Sequence, residues 1–210
     1  TYLAAQGQDI LIDSDSFKFG SKFCNKVWNA SRYILGNLEG RTLIPVTDAD
    51  LTELDKWIYT RLDNAVSLAK DAFEAYRYND GASAIYEYFW NDLCDWYVEA
   101  TKLSFKNGDE KEKDRAVSVL LNVLEESLRL MHPYIPFVTE EIWSKLPLAE
   151  IIENRRKAGS QNVITNSEYN GLLVDAPYPE VTEARKNAEV SARFDVLKEL
   201  IRNIRGLRTD

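Results

Sequence analysis

The feature that most constrains this chain is the spacing of its apolar residues, which recur at steps of three or four along most of its length. Such steps line one face of an α-helix, with about 3.6 residues per turn, whereas one face of a strand repeats every second residue. Between 51 and 76 the stripe is Leu51, Leu54, Ile58, Leu62, Ala65, Ala69, Ala72 and Tyr76, with Asp50 placed to cap its start. Asn79-Asp80-Gly81 punctuates, and a second stripe runs through Ile85, Phe89, Leu93, Trp96, Ala100 and Leu103. Segment 106–113, KNGDEKEK, reads as a solvated loop. A third stripe, Ala116, Val119, Leu120, Val123, Leu124 and Leu128, stops ahead of Pro133, and Thr139-Glu140-Glu141 opens a short helix that ends at Pro147. A first helix spans about 15 to 38, with Phe17, Phe23, Val27, Ala30, Ile34 and Leu38 inward, and a last one carries Val190, Phe194, Leu197, Ile201 and Ile204. Each stripe reads as core. The expected fold is all-α, an antiparallel helical bundle. An irregular or short-strand insert is expected at 148–181, where Gly159, Gly171, Pro177 and Pro179 gather and 171–174 reads as a short strand.

Composition narrows the chemistry. With 210 residues, 45% of them hydrophobic, and 5 Trp, 11 Tyr and 8 Phe, the chain can bury a sizeable core. Its apolar runs are too short to span a bilayer, and its start carries no secretory leader, so no membrane partner and a cytoplasmic location are expected. Cys24 and Cys94 lie far apart, which fits a reducing compartment and no zinc or disulfide framework. The single histidine, His132 in LRLMHPYIPF, sits where a helix stops at a proline and reads as a packed or capping residue, not a base. Asp92, Asp95 and Glu99 in WNDLCDWYVEA fall at helical spacing and read as the acidic face of a helix whose other face is aromatic, rather than as a metal site. No glycine-rich phosphate loop is present. No catalytic residue, metal ligand or cofactor of its own is therefore assigned to the chain. Position 1 is Thr and the only methionine is Met131, so the chain is expected to be a processed product or a piece of a longer protein.

The net charge of −8 is unevenly distributed. Residues 17–41 hold five bases against one acid, residues 42–105 hold twelve acids against five bases, and residues 184–210 hold seven bases against four acids. A local basic face matters more to nucleic-acid binding than the total does. In KFCNKVWNASRYIL, Lys22, Lys26, Asn29 and Tyr33 follow one another at steps of four, three and four, and so share one stripe with Arg32 and Asn25 beside it. Lysine and arginine neutralise phosphates, asparagine offers donor and acceptor to a base edge, and tyrosine gives a face for stacking. A solvated lysine face with a half-buried tyrosine explains the same residues, and on the residues alone it is the stronger reading.

The block KFCNKVWNASRYIL resembles the start of the anticodon-binding domain of valyl-tRNA synthetases. LTELDKWIYTRL, YRYNDGASAIYEYFWNDLCDWYVEATK, MHPYIPFVTEEIWSKLP and DVLKELIRNIRGLR follow in the same order and spacing, and LAAQGQDI resembles the stretch after the lysine loop of the catalytic domain. The resemblance covers about nine-tenths of the chain, least well over 148–170. It implies a bundle of the class I synthetase anticodon-binding type, divided into a leader from the catalytic-domain junction (1–14), the bundle (15–147), the insert (148–181) and a basic C-terminal helix (182–210). The implied partner is the anticodon stem-loop of tRNA(Val), bound by a monomer. The implied parent is a valine–tRNA ligase that uses ATP with Mg in a catalytic domain not included here and edits mischarged tRNA, because a valine pocket rejects threonine poorly. Carried over by position, Lys26, Asn29 and Tyr33 match base-contacting residues, with Lys22 and Arg32 as phosphate contacts or supports. The approach DSDSFKFGS is acidic where the family carries a further basic contact. The corresponding domain of isoleucyl- or leucyl-tRNA synthetases, and a helical protein-interaction module built on the Trp- and Tyr-rich third helix, are the competing readings.

Overall fold

The computed structural model describes residues 14–164 and 169–207, with side chains described over 17–164 and 169–204. Among these residues there is no strand. The elements are α1 (Ser14–Gly36), α2 (Glu53–Glu74), α3 (Tyr78–Tyr86), a π-helical segment (Glu87–Val98), α4 (Glu99–Asn107), α5 (Glu110–Met131), α6 (Pro136–Trp143), α7 (Leu148–Lys157) and α8 (Ala188–Leu207), with 3₁₀ turns at Leu173–Asp175 and Glu183–Arg185. No helix among them is long and apolar enough to cross a membrane. The long helices pack antiparallel. Asp55 at the start of α2 accepts a hydrogen bond of 2.6 Å from Tyr97 near the end of the π segment, while Ala72 near the end of α2 lies beside Gly81 of α3.

Several boundaries differ from those the pattern predicts. The cap of α2 is Thr52, not Asp50: Thr52 and Asp55 exchange side-chain and backbone hydrogen bonds in a capping box. Asp50 instead accepts from the hydroxyl and amide of Thr47. The chain turns at 75–77 around Tyr76, which is exposed and left-handed (φ 58°). Asn79, Asp80 and Gly81 belong to the first turn of α3. The KNGDEKEK loop shrinks to two residues, Gly108 and Asp109, because the Asp109 carboxylate accepts from the Glu112 amide and starts α5. Helix α6 opens at Pro136, whose missing amide costs nothing there, and Thr139 lies buried inside it, donating to the carbonyls of Ile135 and Pro136. That helix stops at Trp143. The first part of the expected irregular insert is the helix α7, and 171–174 forms no strand.

The second stripe drifts. A helix turning about 100° per residue carries a four-residue repeat about 40° off its face at each step. Here the buried positions keep a uniform step of four, Ile85, Phe89, Leu93, Tyr97 and Thr101, and the wider winding of the π segment holds them on the core. Trp96 and Ala100, expected inside, are half-buried, and Leu103 is 64% exposed.

Helix α5 is the axis of the bundle. Every residue from Ala116 to Met131 is buried, polar ones included. Tyr88 and Ser127 share a 2.9 Å hydrogen bond, and Arg115 binds Asp55, which fixes α5 against the π segment and α2. The polar side of α5 faces a network of charges instead of water. Glu125 pairs with Arg129 (2.8 Å) and Arg155 of α7 (2.5 Å), and Glu126 with Arg155, Arg185 (2.9 Å) and the amide of Asn162 (2.8 Å). Arg185 also reaches Asp63 of α2 at 2.8 Å. Three arginines thus meet three carboxylates, which makes burial of all six tolerable. The network ties the chain after α7 back onto the bundle and delivers it to α8. There Phe194 stacks on Trp57 (5.3 Å) and Lys198 reaches the buried Asp92 (2.7 Å).

Candidate nucleic-acid interface

Helix α1 is laid on the bundle by Val27 and Ile34, both fully buried, and by Ser31, whose hydroxyl donates to the Val27 carbonyl at 2.8 Å. Its opposite face is polar by composition, and Lys22, Asn25, Asn29 and Arg32 are exposed on it. The amide of Asn29 has no hydrogen-bonding partner, and Lys22 and Arg32 have no carboxylate partner, among the described residues. Their polar groups are open to a ligand.

The two flanks of this face are built differently. On one, Lys26 and Tyr33 lean toward the π segment and α4. The Lys26 ammonium is 2.7 Å from Asp95 and 5.1 Å from the centre of the Trp90 ring. Tyr33 is half-buried, with the Lys102 ammonium 5.5 Å from its ring centre. Lys102 itself pairs with Glu99 at 2.6 Å, a hydrogen bond that raises its pKa above the ordinary lysine value. On the other flank Trp28 is 36% exposed, with the Lys145 ammonium of α6 at 6.0 Å from its ring and Glu141 holding that lysine at 2.6 Å. Each ring therefore carries a cation beside it, an arrangement that attracts the ring's electron-rich face.

All five residues singled out in the sequence, Lys22, Lys26, Asn29, Arg32 and Tyr33, lie on the one solvent-facing side of α1. Lys26 differs in kind from the rest, since its charge is already shared with Asp95. Trp28, Lys102 and Lys145 were missed. A helical wheel could have found Trp28, one turn before Arg32 on the same flank. Nothing local to Lys102 or Lys145 announces that folding brings them beside α1. The acids of WNDLCDWYVEA do not converge on a metal site: Asp92 is buried and pairs with Arg61 (2.6 Å) and Lys198, Asp95 pairs with Lys26, and Glu99 with Lys102. His132 closes α5, its Nδ1 hydrogen-bonded to Thr139 at 2.9 Å.

The comparisons with known proteins agree with this reading of the face. Over 98% of its length the chain is 55% identical to a valine--tRNA ligase of Treponema denticola, of which it covers 22%. It is 51% identical to that of Treponema pallidum over 99% of its length and 38% identical to that of Thermotoga maritima over 99%, covering 21% of each. The chain thus spans about a fifth of the length of these curated relatives. Among solved structures it is similar to the agnB2 LeuRS of Agrobacterium radiobacter K84, crystallised in a ternary complex with tRNA and LeuAMS, with a TM-score of 0.56 and 18% identity over 90% of this chain and 19% of that one. That likeness concerns the fold. The family described as the anticodon-binding domain of tRNA ligase matches residues 55–210, most of the chain from the start of α2 onward. The chain belongs to the anticodon-binding domains of tRNA ligases.

Proposed function

We propose that this chain is the part of a valine–tRNA ligase that receives the anticodon stem-loop of tRNA(Val), and that the polar face of α1 reads its unpaired bases. The observation that carries the reading is the Asn29 amide. It is exposed and unengaged, one helical turn from a half-buried tyrosine and among exposed cations. Asn29 can pair with a base edge, Tyr33 can stack a base, and Lys22 and Arg32 can neutralise the adjoining phosphates. Lys26, held by Asp95, is a positioned donor whose direction is set before RNA arrives. The listed similarity to valine--tRNA ligases over nearly the whole chain supports valine as the amino acid. In such a ligase ATP and Mg act in the remainder of the protein, and no residue here is assigned to them. A monomer acting in the cytoplasm fits the same reading.

The test is a low-salt titration of the chain with a valine tRNA and with the same tRNA carrying exchanged second and third anticodon bases, repeated with Asn29→Ala and Tyr33→Ala. Loss of binding on the base exchange, matched by either substitution, is the expected result. Loss of one stacked base at Tyr33 should weaken binding by ~1–3 kcal/mol. Equal binding of both tRNAs by all three proteins would reduce α1 to a shape-reading or electrostatic surface.

A further inference from the structure

We propose a second nucleotide site on the far flank of α1, formed by Trp28 as stacking platform with Arg32 and Lys145 as its cations. It rests on the reading of α1 as an RNA-binding face. Of the five tryptophans, Trp57 and Trp143 are fully buried and Trp90 and Trp96 half-buried, leaving Trp28 as the one that presents an exposed ring. One exposed aromatic means little by itself. Three further observations give it meaning. The Lys145 ammonium sits 6.0 Å from the indole, and although it shares one hydrogen bond with Glu141 (2.6 Å) it keeps donors for a phosphate. Arg32, one turn along the same flank, is exposed with no carboxylate partner among the described residues. Finally, five residues at about 100° each place Trp28 some 140° around the helix from Tyr33, so that the two rings bracket Asn25 and Asn29.

The bracket says something about the ligand. A helix is about 10–12 Å across with its side chains, and neighbouring stacked bases are separated by about 3.4 Å. Two bases stacked on one another cannot occupy rings on opposite flanks of α1. The RNA that uses both must be single-stranded and splayed, its backbone draped across the helix with one unpaired base at Tyr33 and another at Trp28. Indole offers the larger stacking face, and every base has one, so Trp28 supplies affinity and register while Asn29 supplies sequence preference. Glu141, the acid nearest this flank, is neutralised by Lys145 and does not repel the strand.

The experiment uses the valine tRNA anticodon stem-loop with 2-aminopurine placed at each unpaired loop position in turn, bound to the full chain and to Trp28→Ala, Trp28→Phe, Lys145→Ala and Tyr33→Ala. Stacking at ~1–3 kcal/mol per base converts to a loss of about fivefold to 150-fold for Trp28→Ala, at 1.4 kcal/mol per tenfold, and a smaller loss for Trp28→Phe. The loss should leave the salt dependence unchanged, because an indole neutralises no phosphate. Lys145→Ala should instead flatten the log–log salt slope by about 0.7. One loop position should lose its fluorescence quenching with Trp28→Ala and keep it with Tyr33→Ala. If Trp28→Ala and Trp28→Phe bind as the parent does while Tyr33→Ala weakens, the second site is refuted and the reading of α1 survives. If Tyr33→Ala is silent as well, the reading of α1 falls with it. Circular dichroism checks that each variant is folded, and should Trp28→Ala unfold, Trp28→Phe with the position-specific quenching decides.

Discussion

Replacing Glu126 by glutamine should uncover the electrostatic logic of the bundle. The side chain is fully buried and meets Arg155, Arg185 and the Asn162 amide. Burial pushes its carboxyl upward, but Arg185 and Arg155 together more than reverse this and hold it at about 2, against an ordinary value of 4.5. At about 1.4 kcal/mol per pH unit, that difference contributes ~3 kcal/mol to folding at neutral pH. Glutamine has nearly the same shape and removes the charge. It leaves one excess cation among the buried arginines, but it also relieves Asp63, whose carboxyl burial and Glu126 both raise. A net cost of ~2–3 kcal/mol at pH 7 follows, near the lower end of what breaking a buried pair costs. The sign with pH follows from the lowered folded value. Above pH 5 the carboxyl is ionised in both states and the full contribution is present. Below 4.5 the unfolded chain takes up the proton first, and the contribution fades until pH 2, leaving under half at pH 3. Urea denaturation of both proteins, followed by tryptophan fluorescence at pH 7, 4 and 3, should show their midpoints converging as pH falls. A gap that stays constant with pH, or one below ~1 kcal/mol at pH 7, would refute the reasoning.

Other outcomes follow from the same structure. In Gly81→Ala the new Cβ would sit 2.3 Å from the Tyr134 hydroxyl; overpacking of ~1–3 kcal/mol should outweigh the better helix propensity of alanine and lower the thermal midpoint. Asp92→Ala leaves Arg61 and Lys198 without their shared carboxylate, and hydrogen exchange should accelerate across α8 before the rest of the chain. Burial pushes the Cys94 thiol up to about 12, while Cys24 is half-buried and raised less; mass spectrometry of alkylation at pH 8 should find Cys24 modified first.

Most of the bundle could be read from periodicity because its helices bury one apolar stripe each, the signal that spacing carries. Two parts escaped for different reasons. In α5 the polar residues Asn122, Glu125, Glu126 and Arg129 look like a solvated face, and only arginines from residues 155 and 185 turn that face inward. In the π segment the stripe kept a step of four, and a reading tuned to 3.6 placed Trp96 and Leu103 inside where Tyr97 and Thr101 belong. At the candidate interface the five α1 residues were visible because they are neighbours on one helix. Lys102 and Lys145 were not, since their partnership with α1 comes from the packing of α4 and α6.

The winding of Glu87–Val98 also sets what the gene can tolerate. Deleting any one of its residues would let the coil tighten into an ordinary α-helix, and everything after the deletion would rotate by about 100°. Tyr97 would leave Asp55, Thr101 would face water, and Lys102 would leave Tyr33. A substitution here loses one side chain, whereas a lost codon would misdirect a whole face. For this stretch the number of residues is itself a structural determinant.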